Sequence, residues 1–377
     1  METIYTDARI ITRDEVIHGT LIVQNGFIKD IDTFAFKGNN AVNIGGDFLL
    51  AGLIEMHTDN LEKNIQPRPG VIWPSILSAA VAHDSQIAGA GITTVFDAVA
   101  VGGMRQGNLR AQIFDDCIEA FNRGKSMDIF KADHYLHFRC EVSDSKMGEM
   151  LLKHSNRDIR LISLMDHTPG QRQWADLEKW RLYHRDKRWS DDEAETIRQE
   201  HQQMQERYSA QHRKLAIGVA AEKNIPLASH DDTSPADIQT ALADGISISE
   251  FPTTLAAAHE AKNHGMTTIM GAPNAVRGVS HSGNISAVTL AEHDLLDGLS
   301  SDYVPSSLLH AAFSLAEKLQ KPLHQAVNMV TVNIAEMTGF TDRGELTPGK
   351  RADMIQVKLV DGIPIPRKVW KKGLRIA

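Results

Sequence analysis

Eight short runs rich in apolar and β-branched residues recur between residues 48 and 302, and segments with helical spacing of their apolar residues separate them. Strands that alternate with helices feed a parallel sheet, because each crossover has to carry the chain back across the sheet's face. The runs start at Phe48 (FLLAGLIEMH), Gly91 (GITTVFDAV), His134 (HYLHFRCEV), Ile159 (IRLISLMDH), Ile225 (IPLASHD), Gly245 (GISISEF), Thr267 (TTIMGAP) and Leu295 (LLDGLSSD). Eight such units in about 250 residues predict a (β/α)8 TIM-type barrel. An open doubly wound sheet is disfavoured, because no Gly-x-Gly-x-x-Gly follows the first run.

The two ends of the chain have a different texture. TIYTDARIITRDEVIHGTLIVQNGFIKDI and GELTPGKRADMIQVKLVDGIPIPRKVWKKGLRI alternate apolar and polar residues between turn signals at Arg13-Asp14, Asn25-Gly26, Pro348-Gly349 and Asp361-Gly362. They predict a small β-sandwich domain assembled from residues 1–50 and 338–377, with the barrel occupying 51–337. Residues 174–214, between the fourth and fifth strands, are dense in Arg, Asp, Glu, Gln and His. That composition predicts a charged helical insertion, either solvated or serving as a lid or subunit contact.

Composition narrows the class. A formal charge of −8 leaves no basic stripe for a nucleic-acid backbone. Cys117 and Cys140 cannot build a disulfide framework, and no apolar run approaches the length of a membrane span. The first residues carry acids where a secretory signal needs a basic patch and an apolar core, so a cytoplasmic protein with no membrane partner is expected. Seventeen His against two Cys favour nitrogen and oxygen ligands at any metal site.

Barrel enzymes build their sites at the C-terminal ends of the strands. His57 and Asp59 end the first run, two apart and therefore on one face. Arg139 and Glu141 share a face at the end of the third. His167 ends the fourth, His230 the fifth and Asp302 the eighth. A lone His at such a position is usually structural, and a lone Asp is more often a helix cap. Together these residues supply the donors that Zn, Mn or Fe would take. Glu141 would bridge two ions, and Asp302 would ligate one and accept a proton from the attacking water. Cys140 alternates to the opposite face and is expected to be buried, and Asp97 is expected to support the site rather than ligate.

The split β unit, the AGLIEMH run and the ordered His-x-Asp, Glu, His, His, Asp set resemble the amidohydrolase superfamily. Most members open with His-x-His and many bridge with a carboxylated Lys, whereas this chain offers Asp59 and Glu141. Those departures are similar to one branch, the triphosphate diphosphatases of the carbon–phosphorus lyase pathway. The blocks HTDNLEKNIQPRPGVIWP (57–74), HFRCEV (137–142), MDHTPGQRQ (165–173), ASHDD (228–232), SEFPTT (249–254), GAPNAVRGVSHSGN (271–284) and SSDYVP (300–305) agree with it in order. The resemblance implies hydrolysis of α-D-ribose 1-methylphosphonate 5-triphosphate to the 5-phosphate and pyrophosphate. It implies divalent metal, two ions with Zn foremost, and by analogy a homo-oligomer.

Such a small anionic sugar-triphosphate needs cations and donors near the metals. Lys63, Arg68, Arg139 and Arg172 sit on or just past strand ends, and Asn274, Arg277 and His281 lie in a loop whose Gly271, Gly278 and Gly283 would admit an anion. An N-acyl or cyclic amide substrate is the rival expectation and would need fewer cations. A non-enzymatic barrel would be expected to have lost ligands, and this chain keeps a competent side chain at each position.

Overall fold

The apolar run that begins at Phe48 is divided at Gly52, and that division separates two sheets. The structure is a computed structural model and describes residues 2–34, 41–103, 109–280 and 283–377. Five strands precede the division: β1 (Glu2–Ile11), β2 (Val16–Gln24), β3 (Phe27–Asp32), β4 (Ala41–Asn43) and β5 (Phe48–Ala51). A Cβ at position 52 would lie 2.2 Å from Thr93 Oγ1, so only glycine allows the backbone to pass from one sheet to the other here.

Beyond Gly52 come β6 (Leu53–Thr58), β7 (Ile92–Val101), β8 (Asp133–Glu141), β9 (Ile159–Met165), β10 (Leu227–His230), β11 (Ile248–Glu250), β12 (Thr267–Gly271) and β13 (Gly298–Ser300). They pair in sequence order, each parallel to the next. A bridge between Thr58 and Asp302 closes the ring from β13 back to β6. Ile54, Met56, Phe96, Leu161, Ala228, Ile248 and Ile269 form one apolar cluster, and a closed sheet is what brings these strands together. Near-continuous burial along β7 and β8 is that of strands covered on both faces.

The chain then returns to the first sheet through β14 (Met354–Val360), β15 (Ile363–Lys371) and β16 (Leu374–Arg375). β5 pairs with β1 on one side and with β14 on the other, so both termini join one continuous, mostly antiparallel sheet. Tyr5, Ile10, Leu21, Val23, Ile28, Leu49, Met354 and Trp370 form its buried face.

Between β9 and β10 the charged stretch folds as a short helix, Leu177–Tyr183, and a 33-residue helix, Asp191–Lys223. Ser190 and Glu193 form a reciprocal capping box at the start of the long helix, and Asn224 ends it in a left-handed conformation. At 1.5 Å per residue the helix is about 50 Å long. Trp174, Trp180 and Ala194, with Trp189 and Ile197 against them, give the insertion a small core of its own. Among the described residues, no helix is long and apolar enough to cross a membrane.

Candidate metal centre and substrate cavity

The ends of the barrel strands and the insertion enclose a cavity of about 1350 Å³. His57, Asp59, Arg139, Glu141, His167, His230, Asn274, Arg277 and Asp302 all line it. The seam that closes the barrel fixes three of them relative to one another. Asp302 N–H donates to His57 O (3.1 Å), while Asp302 O accepts from Thr58 Oγ1 (2.7 Å) and from Asp59 N–H (3.3 Å).

Carboxylates orient two of the imidazoles. His57, fully buried on β6, donates from Nδ1 to Glu250 Oε1 at 2.7 Å, which leaves Nε2 for another partner. Burial disfavours a charged His57 ring, but Glu250 outweighs it and raises the pKa above the ordinary value. Ser163 Oγ lies between Glu250 Oε2 (2.9 Å) and His137 Nε2 (2.6 Å), and His137 Nδ1 reaches Met56 O at 3.1 Å. Glu141 Oε2 accepts from His167 Nδ1 at 2.6 Å, and Glu141 Oε1 accepts from His167 N–H (3.0 Å) and Ser143 Oγ (2.9 Å). Burial opposes a charged His167, yet Glu141 and Asp231 hold its pKa up to about 10. Carboxylate–imidazole pairs of this kind fix the tautomer and direction of a metal-binding ring.

The donor set fits a divalent cation on the structure's own terms. Among the described residues neither ring nitrogen of buried His230 makes a hydrogen bond, and nor does Asp231 Oδ2, although that oxygen lies 2.9 Å from His230 Nδ1. Imidazole and carboxylate atoms of His167, His230 and Asp231 lie within 4.8 Å of one another. Buried polar atoms without partners are rare and costly, and a cation would satisfy these. The carboxylates of Asp59, Glu141, Asp231 and Asp302 line the same cavity and are further anionic donors for a cation.

The expected substrate contacts divide. Arg139 is 9% exposed and forms no hydrogen bond or ion pair with any described residue, its Nε included. Arg277 ends the helix Ala272–Arg277 with an exposed guanidinium at the cavity wall. Gly278 and Gly283 take the positive φ expected of them (77° and 74°), whereas Gly271 does not (φ −68°). Asn274 lines the cavity, but its amide is engaged by Ile285 O (3.3 Å) and Ala287 N–H (3.0 Å), so it shapes the loop. Three of the expected cations are engaged or placed elsewhere. Arg172 pairs with buried Asp232 and reaches His230 O at 3.3 Å, so it braces the end of β10. Lys63 Nζ donates to Tyr303 O at 2.5 Å and lies over the Tyr303 ring. Arg68 sits on an exposed turn, and neither it nor Lys63 nor Arg172 lines the cavity. His281 lies outside the described residues.

Several residues at the site were not singled out from the sequence. Glu250 ends β11 in the same way that the candidate ligands end their strands, so the signal was present. Asp231 directly follows His230. Lys187, Tyr183, Arg207 and Tyr208 of the insertion line the cavity's outer wall, and nothing in their charged context separated them from a solvated helix face. Asp97 does not line the cavity. It accepts from His83 Nε2 and His134 Nδ1, each at 2.8 Å, and His83 Nδ1 in turn lies 3.1 Å from Asn60 Nδ2, next to Asp59.

A closed parallel barrel with His, Asp and Glu donors gathered at its strand ends defines a metal-dependent hydrolase architecture, and the chain belongs to the amidohydrolase superfamily. The Amidohydrolase family model matches residues 192–375. The alpha-D-ribose 1-methylphosphonate 5-triphosphate diphosphatase of Escherichia coli (strain K12) is 41% identical over 377 residues, covering 99% of this chain and all of that one. Among solved structures, 5-methylcytosine deaminase from Klebsiella pneumoniae aligns with a TM-score of 0.65 at 13% identity, over 100% of this chain and 98% of that one. N-acetylglucosamine-6-phosphate deacetylase from Pasteurella multocida aligns with a TM-score of 0.63 at 13% identity, over 100% and 99%. At that identity the two structures share the fold alone.

Proposed function

We propose that this protein hydrolyses α-D-ribose 1-methylphosphonate 5-triphosphate to the 5-phosphate and pyrophosphate. End-to-end identity to the E. coli diphosphatase supports the substrate. The structural observation that supports the polyanion reading is Arg139, a buried guanidinium that lines the cavity without a hydrogen-bond partner among the described residues. Its guanidinium makes no hydrogen bond or ion pair with a described residue, and its planar fork suits a phosphoryl group. Arg277 and Arg207 flank the same cavity.

In this reading His57, Asp59 and Asp302 would hold one divalent ion, and His167 and His230 would hold another beside Glu141, which orients His167. Zinc suits these donors best, and Mn or Fe would accept them. When bound, the ions would acidify a water and neutralise phosphoryl charge. The chain's own part is to aim and to move protons. Glu250 and Glu141 hold His57 and His167 in one tautomer, Asp302 takes a proton from the attacking water, and Arg139 stabilises charge that grows on the phosphoryl oxygens. The test is a substrate panel. Sugar 5-triphosphates should be cleaved and N-acyl amides should not, and Asp302→Asn should lose turnover while keeping its fold. Faster cleavage of the amides would return the site to the rival reading.

A further inference from the structure

We infer that Asp231 is a metal ligand, sharing the ion held by His167 and His230. The inference rests on the metal-centre part of the proposed function and is independent of the substrate.

Successive side chains of a strand point to opposite faces, so a residue directly after His230 would ordinarily point away from the cavity. The backbone prevents this. Asp231 has φ 57°, in the left-handed region, and its N–H is anchored on Glu250 O at 2.9 Å. Asp and Asn are the side chains that tolerate this conformation best after glycine. The kink breaks the alternation, and His230 and Asp231 both line the cavity.

The carboxylate faces two imidazoles there without a hydrogen bond to either. Asp231 is 6% exposed and its Oδ2 has no hydrogen-bond partner. That oxygen lies 2.9 Å from His230 Nδ1, in a direction unsuited to a hydrogen bond, and 3.6 Å from His167 Nε2. Donors about 2.0–2.2 Å from a common ion stand roughly 3–4 Å apart, so these separations are those of co-ligands. The neighbouring carboxylates differ. Asp232 is engaged by Ser229, Ser249 and Arg172. Both oxygens of Glu141 already accept hydrogen bonds, including the one that orients His167. Asp231 therefore supplies a carboxylate oxygen that both imidazoles approach and that makes no hydrogen bond.

The experiment uses full-length protein stripped by a chelator, then titrated with Co(II) and with Zn(II) against a chromophoric competitor. Metal content is counted by elemental analysis, and the Co(II) visible absorption reports the ligand set. Asp231→Asn is expected to weaken one ion about 100-fold or more and to change the Co(II) spectrum, with Asp231→Glu recovering part of the affinity. Parental stoichiometry, affinity and spectrum in Asp231→Asn would overturn the assignment. If that variant fails to fold by circular dichroism, Asp231→Glu carries the test: a shifted Co(II) spectrum supports ligation and an unchanged one refutes it. None of these readings requires substrate. A parent protein that binds its ions through Asp231 but releases no pyrophosphate would sink the substrate proposal alone.

Discussion

Arg139→Met separates a residue kept for a ligand from one kept for the fold. The guanidinium is 9% exposed, faces the cavity and has no partner among the described residues. Its charge also disfavours protonation of His57 and His137 nearby. A buried charge carries a desolvation penalty, so an apolar side chain of similar volume in its place is neutral or stabilising. Met fits that description, so the variant should unfold at the parental temperature or above it. Substrate should respond in the opposite sense. Each charge-assisted hydrogen bond contributes about 1.5–3 kcal/mol, so losing a bidentate phosphoryl contact costs about 3–6 kcal/mol, or roughly 10²–10⁴ in kcat/KM. Thermal unfolding of the metal-loaded protein and pyrophosphate release at low substrate concentration read the two effects. A variant that loses stability and keeps its kcat/KM would show Arg139 to be a packing residue and refute the reasoning.

Other residues make separate predictions. Glu250→Gln keeps the shape of the His57 partner and removes its charge, so metal affinity should fall about 10–100-fold in a chelator competition; unchanged affinity would detach Glu250 from the centre. Chelation should lower the unfolding temperature, because Asp59, Glu141, Asp231 and Asp302 would repel without cations; a protein bound at 1,000 times its Kd is stabilised by about 4 kcal/mol. No shift on chelation would argue that no ion is held. Burial disfavours a charged His134, but Asp97 and Asp84 raise its pKa to about 9. A folded-state pKa above the unfolded value near 6.5 gives stability that is complete below about pH 6.5 and lost as pH rises through 9. The loss amounts to about 3 kcal/mol, and His134→Gln should flatten that part of the pH–stability curve while lowering the plateau. A curve that keeps its full slope in the variant would place the titration elsewhere.

The barrel was legible because a parallel sheet covered on both faces demands continuous apolar strands, and β7 through β13 each overlap a run read from the sequence, with β7 running two residues beyond its run and β8 starting one residue before it. The first run misled in one respect. Phe48 to His57 reads as a single strand, and only the contact of Gly52 with Thr93 reveals that its halves belong to different sheets. At the site, the strand-end rule recovered His57, Glu141, His167, His230 and Asp302 as residues that line one cavity. Alternation hid Asp231, since the left-handed turn that redirects it has no signature stronger than an Asp. The loop cations were the weakest readings. Whether a long side chain reaches a ligand or a neighbouring acid depends on tertiary partners, and Arg172 found Asp232. The insertion read as a solvated face because its charged residues do face water, while Trp174, Trp180 and Trp189 assemble beneath them.

Metal-assisted cleavage between the first and second phosphates of a sugar triphosphate would release pyrophosphate and leave the 5-phosphate. The most direct measurement is the product count from α-D-ribose 1-methylphosphonate 5-triphosphate, with pyrophosphate and orthophosphate followed separately in stripped and in Zn- or Mn-loaded protein. The account predicts one pyrophosphate per substrate consumed, with release that depends on metal and disappears in Asp302→Asn. Orthophosphate as the primary product, or equal pyrophosphate release by the stripped protein, would contradict it.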